Sequence, residues 1–503
     1  MPIDPTREFA EKNVKSILEW LALAHGRNAP DDANGLQLQL LTLRSTPVSP
    51  AQRVKLLDLL YGHVVQVTMA QLPTLHGAAL PISRRLRMTV RSLQDLLEML
   101  AQDYLNTLAE LFDPDPEEKP RAPHSTLRRV MHCLAWHLLI SHLVAAPVAP
   151  GIWQQFHATF RTSRRLGLAD ASAPGDERRI EQTYASTLLM AIAQPASFSS
   201  TELEFISSYI DDCTKAVEIL EEAPAGCTGV FWVDPDKDAP PSALSRRIPA
   251  PEAKVFYFAC DLLAQGAADH LHALEEGATA AELGLPAMAD TQGGQGVLRR
   301  LATVWGSPVK RRFPRRRQSY RADVCAGLDN LWQLLKHPED PPPTSEWLVI
   351  NESPDGYSLM HVNGPTDSLR VGDIVAVCPQ ENHDTAEGAP WHVCIVRWGL
   401  TESHEHVEIG LQVLAPRGVP AELANPASGT GQATTGAILL PRTPPLRPLQ
   451  ALVVPTGAVS DSSQTLIVLV EKNNVEVREL RAVELNEQTS SIEVFSVEPS
   501  QKV

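Results

Sequence analysis

Long apolar runs are missing from this sequence. Nowhere do eighteen consecutive apolar residues occur, and the densest stretch, Leu134 to Val148, is broken by His137, Ser141 and His142, so no membrane span is expected. An export signal is also missing: Met1-Pro-Ile-Asp-Pro-Thr-Arg-Glu8 puts charge and proline where a leader needs a basic segment followed by an apolar one. The seven cysteines stand singly, without the regular short spacings of a disulfide framework or a zinc site, which points to reduced thiols in a cytoplasm. Basic residues are in deficit. With 44 Lys and Arg against 60 Asp and Glu the net charge is -16, which argues against a protein that coats nucleic acid by neutralising phosphates.

Signatures of catalysis are lacking as well: there is no serine elbow, zinc-protease helix or kinase set, so neither an enzyme nor a cofactor is expected. Three near-motifs fail on inspection. His132, His137 and His142 recur every five residues, about 140° apart on a helix, and cannot converge on one metal. Asp234-x-Asp236-x-Asp238 imitates the start of a calcium loop but has Ala239 in place of the glycine and Ser245 in place of the bidentate glutamate, and reads as an acidic turn. Gly293-Gly-Gln-Gly296 lacks the Lys-Ser/Thr of a phosphate loop and reads as a flexible linker.

What is present is a long chain with enough apolar material, 43% of 503 residues, for more than one core, and 41 prolines to punctuate it. From about residue 6 to 270 apolar residues recur at helical spacing, as in Leu56, Leu57, Leu60, Val64 and Val67, without a fixed repeat period. Near Pro308 the pattern turns to short strands such as Trp347-Leu-Val-Ile, Asp373-Ile-Val-Ala-Val and His392-Val-Cys-Ile-Val. The fold class expected is a multidomain α + β chain: an N-terminal all-α helical array, a six-stranded antiparallel β-barrel and a small C-terminal β module. The boundaries expected are 1–225 for the array, 226–308 for a mixed linker and helical segment, 309–417 for the barrel, 418–436 for a linker and 437–503 for the module.

One segment contradicts the acidic balance. Lys310-Arg-Arg-Phe-Pro-Arg-Arg-Arg-Gln-Ser-Tyr-Arg321 carries seven cationic side chains and no carboxylate, and Asn351-Glu-Ser353-Pro-Asp-Gly356 follows between two strand candidates. At these residues, with Leu369-Arg-Val-Gly372-Asp-Ile-Val downstream, the sequence resembles the PilZ family of cyclic di-GMP receptors. That family carries R-x-x-x-R before its first barrel strand and [D/N]-x-S-x-x-G after it. Here the first motif is Arg317-Gln-Ser-Tyr-Arg321 flanked by Arg316, with Arg312-Phe-Pro-Arg-Arg316 as an alternative register. Val407-Glu-Ile-Gly410-Leu-Gln-Val is similar to the family's closing strand. After Val324 the sequence departs from the family: Ala326 to Lys336 has helical spacing, which implies an insertion in the barrel.

The resemblance implies that Arg316, Arg317 and Arg321, with Arg312 as a possible addition, bind the dinucleotide together with Asn351, Ser353 and Gly356. The chemistry fits. Two phosphates and two guanines suit the guanidinium fork and its flat face, and a bidentate Arg to guanine contact contributes about 1–3 kcal/mol of base discrimination. Asn351 and Ser353 offer short polar groups, and Gly356 allows close backbone approach. The function expected is a cytoplasmic cyclic di-GMP receptor in which the arginine segment is both site and hinge, binding reorients the helical region, and an unidentified protein partner reads the change. Two other readings stay open: a nucleic-acid-binding scaffold using the basic 310–321 patch, and a degenerate PilZ protein-interaction module without ligand.

Overall fold

The computed structural model describes residues 5–23, 29–76, 82–112, 123–172, 178–213, 217–308, 313–366, 369–380, 390–402, 406–424, 434–444, 447–459, 465–471 and 475–500. They divide into two compact units, the first formed by Met1–Ala78, Ile82–Ile192 and Ile210–Cys260 and the second essentially by Ala193–Tyr209 and Asp261–Val503.

The first unit is a helical array. It comprises α1 (Pro5–Ala22), α2 (Ala29–Arg44), α3 (Pro50–His76), α4 (Arg84–Phe112), α5 (His124–Leu143), α6 (Ile152–Arg165) and α7 (Ile180–Ile192), followed by a small antiparallel sheet of β1 (Val230–Val233), β2 (Ser242–Ala243) and β3 (Phe256–Ala259) in the order β2-β1-β3. On α3, Leu56, Leu57, Leu60, Val64 and Val67 are all buried, as their spacing along a 3.6-residue turn requires. Around α6 the core is aromatic: Phe160 stacks on Tyr184 at 3.7 Å between centroids, and the Tyr184 hydroxyl lies 2.8 Å from His157 Nδ1. The acidic turn at 234–238 has a structural task. Asp238 accepts the backbone N–H groups of Gly151 (2.6 Å) and Gln154 (3.1 Å), capping the N-terminus of α6, while Asp236 pairs with Arg161 and Asp234 with Lys237.

The second unit holds α8 (Ser200–Cys213) as far as Tyr209, α9 (Asp261–Glu275), α10 (Gln292–Gly306) and two closed six-stranded antiparallel barrels. The first barrel contains β4 (Arg316–Ala326), β5 (Ser345–Ser353), β6 (Gly356–Asn363), β7 (Ile374–Pro379), β8 (His392–Thr401) and β9 (Val407–Ala415), ordered β4-β5-β6-β9-β8-β7. The C-terminal β module is a barrel of β10 (Val419–Ala424), β11 (Thr434–Leu440), β12 (Gln450–Pro455), β13 (Thr465–Glu471), β14 (Val475–Gln488) and β15 (Ile492–Pro499). Its order, β10-β11-β12-β15-β14-β13, repeats that of the first barrel strand for strand. Closure leaves neither sheet with an unpaired edge.

The insertion between β4 and β5 is the helix α11 (Leu328–Lys336), and it explains how the barrels are joined. Leu331 and Leu334 are buried among Ile374, Val393 and Ile395 of the first barrel and Ile438, Ala451 and Val453 of the second, in one continuous apolar cluster. Each leucine so buried contributes about 2 kcal/mol. The Trp332 indole donates to the Ala421 carbonyl at 2.9 Å, tying the helix to β10.

The Gly293–Gly296 run is not a flexible linker, as its composition suggests, but the first turn of α10. Thr291 caps that turn by accepting the Gly294 N–H at 3.1 Å. Glycine is needed for packing there: a Cβ at Gly294 would lie 2.0 Å from the Met288 carbonyl oxygen, and one at Gly296 would lie 3.0 Å from that of Gln488.

Candidate functional site

Cross-strand register assembles the site. In the β4–β5 ladder Arg317 stands opposite Asn351 and Arg316 opposite Glu352, and in the β5–β6 hairpin Ser353 stands opposite Gly356. The two motifs, thirty residues apart in sequence, therefore meet on neighbouring strands. Paired residues share a face of the sheet, and Asn351 is paired in turn with Ser358, which alternates with the core residues Tyr357 and Leu359. Arg317 and Asn351 thus face the outer wall of the barrel. Register shifts lie between Arg317 and Tyr320 on one ladder and between Val349 and Asn351 on the other. Such bulges re-aim side chains, and this one turns Tyr320 toward the core while Arg317 stays exposed.

The sequence-derived residues do not all stand alike. Arg316 and Arg317 are exposed at the start of β4. Arg321 lies further along the same strand, opposite Leu348, and its guanidinium is paired with Glu346. Asn351 is half-buried. Ser353 builds the corner: its hydroxyl donates to the Asp355 carboxylate at 2.7 Å, with the Gly356 carbonyl 3.2 Å away. Gly356 is required by contact, since a Cβ there would sit 2.2 Å from the Leu411 carbonyl oxygen. The Val413 N–H donates to the Asp355 carbonyl at 2.9 Å, so the corner is pinned to β9. Arg312, the alternative register's first arginine, lies outside the described residues.

Two neighbours escaped the sequence reading. Following the row Arg317, Asn351 and Ser358 across the sheet leads to Gly410 on β9 and then Trp398 on β8. The Trp398 indole lies over Gly410 so closely that a Cβ at that position would be 1.8 Å from its Nε1. The row thus ends in a half-exposed aromatic plate on the outer wall. Only the register could have found it. The second is Glu352, whose carboxylate accepts from the Tyr320 hydroxyl (3.1 Å) and Gln318 Nε2 (3.3 Å), fixing the bulge beside Arg317. Nearby the Tyr357 hydroxyl lies 2.7 Å from His392 Nδ1, and burial holds His392 below the usual imidazole range and Tyr357 above the usual phenol range.

The wall therefore offers guanidinium groups, an amide, a glycine corner with no side chain in the way, and a flat aromatic face. Those are the parts needed to hold phosphates, hydrogen-bond a purine edge and stack a base. Among the described residues no group of His, Cys, Asp and Glu is arranged to hold a metal ion, and no helix is long and apolar enough to cross a membrane.

Comparison with known proteins gives matches over both halves of the chain. Residues 15–224 match the family described as "Cyclic-di-GMP receptor FimW, N-terminal domain", and residues 333–420 match "Cyclic-di-GMP receptor FimW, middle PilZ domain". The second match begins within α11, downstream of the arginine segment. The cyclic-di-GMP receptor FimW of Pseudomonas aeruginosa strain PAO1 is 20% identical over 501 aligned residues, spanning 84% of this chain and 80% of that protein.

Proposed function

The chain is a PilZ-family protein with a helical N-terminal region, and from that premise we propose that it is a non-catalytic cytoplasmic receptor that binds cyclic di-GMP on the outer wall of its first barrel. Arg316, Arg317 and Arg321 take the phosphates and guanine edges, Asn351 supplies an amide to the same ligand, and Ser353 with Gly356 shapes the corner that lets the ligand reach the backbone. Trp398 stacks a guanine. The observation that carries this reading is the pairing of Arg317 with Asn351, the first residues of the two motifs.

Signalling follows from position. The strand that carries Arg316, Arg317 and Arg321 opens the first barrel and follows α10 in the chain, so a ligand held there bears on how the chain enters the barrel. If conformations at this junction differ in affinity for the ligand, binding reorients the helical region and a protein partner reads the difference. Two measurements test the reading. Calorimetry should give saturable binding of cyclic di-GMP with cyclic di-AMP much weaker; equal binding of both, falling steeply with salt, would instead support a general basic patch. Solution scattering with and without saturating ligand should differ; identical profiles would remove the reorientation and leave the binding.

A further inference from the structure

The corner that shapes the site is not held by the first barrel alone. Gly356 pairs with Gln412 on β9, and the Gln412 side-chain oxygen accepts from Arg397 Nε at 2.7 Å. Arg397, on β8, then turns its two terminal nitrogens to the carboxylate of Glu487 on β14 of the second barrel, Nη1 lying 2.9 Å from Oε2. Charge-assisted forks of this kind fix direction as well as distance. Just past the end of β14, the Thr489 hydroxyl donates to the Gly372 carbonyl of the first barrel at 3.0 Å. The end of β14 thus grips the wall next to the corner, while the topologically equivalent hairpin of the second barrel, 441–449, carries no Asn-x-Ser-x-x-Gly of its own.

We propose that Arg397 is a positioning residue for nucleotide binding, clamped by Glu487, through which the C-terminal barrel sets the affinity of the Asn351–Gly356 corner. This rests on the receptor reading above. Each nitrogen of Arg397 donates to Gln412 or Glu487, so its role here is to hold β9 under the corner and not to meet the ligand. The second barrel, which repeats the strand order without the motifs, serves as the support from which the first is held.

The test is a charge-swap cycle on the full chain, read by cyclic di-GMP titration at several salt concentrations, with Arg317→Ala as the control for the site itself. Arg397→Ala and Glu487→Ala should each weaken binding about tenfold, the loss expected for one charge-assisted hydrogen-bonded contact. The double variant should be no worse than either single one, and Arg397→Glu with Glu487→Arg should restore most of the affinity. The salt dependence should stay that of the wild type throughout. Loss in Arg397→Ala with no loss in Glu487→Ala, or a flattened salt dependence, would overturn the proposal by making Arg397 a direct ligand contact. No change in any variant would overturn it as well. If a single variant does not fold, the swapped pair and Gln412→Ala decide: affinity lost in Gln412→Ala and recovered in the swap supports the clamp, and any other combination refutes it. Should the wild type itself fail to bind, the receptor reading fails first, and that result is distinct from all of these.

Discussion

Trp398 occupies the space that a side chain at Gly410 would need, its indole nitrogen standing 1.8 Å from where a Cβ would be built. The glycine and the tryptophan are one device, a flat face laid on a bare strand. Trp398→Ala should weaken cyclic di-GMP binding by the ~1–3 kcal/mol that a stacked base loses on alanine substitution, with little effect on folding because the ring is half-exposed. Gly410→Ala should weaken binding and lower the melting temperature together, since the indole must leave the wall. Titration and thermal denaturation of the two variants separate these outcomes.

Gly356 answers to a different constraint, a backbone carbonyl that cannot give way. A Cβ 2.2 Å from the Leu411 oxygen forces β6 and β9 apart at the corner. Gly356→Ala should therefore destabilise the chain by about 1–3 kcal/mol, as overpacking does, and abolish measurable binding. Urea unfolding and titration on the same preparation check both.

Arg321 is paired with Glu346, although Arg321 is 56% exposed. A phosphate must compete with that carboxylate for the guanidinium. Exposed pairs contribute only about 0–1 kcal/mol, so Glu346→Gln should raise affinity by up to about fivefold and leave stability nearly unchanged. A fall in affinity would mean that Glu346 instead orients the arginine for its ligand.

In the helical unit, burial pulls the imidazoles of His137 and His142 down to about 4 from 6.5. Both are neutral in the fold, and the unfolded chain takes up their protons first as pH falls. Their contribution is therefore complete above pH 6.5 and is lost progressively down to about pH 4, on the order of 3 kcal/mol each over that interval. Helical circular dichroism during urea unfolding at pH 7 and pH 5 should show the loss, and His142→Asn should reduce it.

Much of this was legible in the sequence where one element suffices. The α3 core residues follow from their spacing, and α11 was readable as a helix because Leu328, Leu331 and Leu334 lie on one side of it. Asn351 to Gly356 was readable as a corner because each residue type has a local reason to be there. What needed the register was not. Nothing local says that Arg317 faces Asn351, because the register shift between Arg317 and Tyr320 sets that pairing, nor that Trp398 lies on Gly410 twelve positions later. Strand Val419–Ala424, written with Pro420 and two alanines beside a Gly/Ser/Thr-rich stretch, gives no strand signal; its two partners β11 and β13 impose the conformation. The glycines of α10 read as slack when they are in fact contacts.

The most direct test is the removal of one guanidinium from the pair that defines the wall. Calorimetric titration of Arg317→Ala with cyclic di-GMP, beside wild type and an Arg478→Ala control on the second barrel, should show binding reduced at least tenfold in the first variant alone, with unchanged thermal stability since Arg317 is exposed. Wild-type affinity in Arg317→Ala would contradict the account.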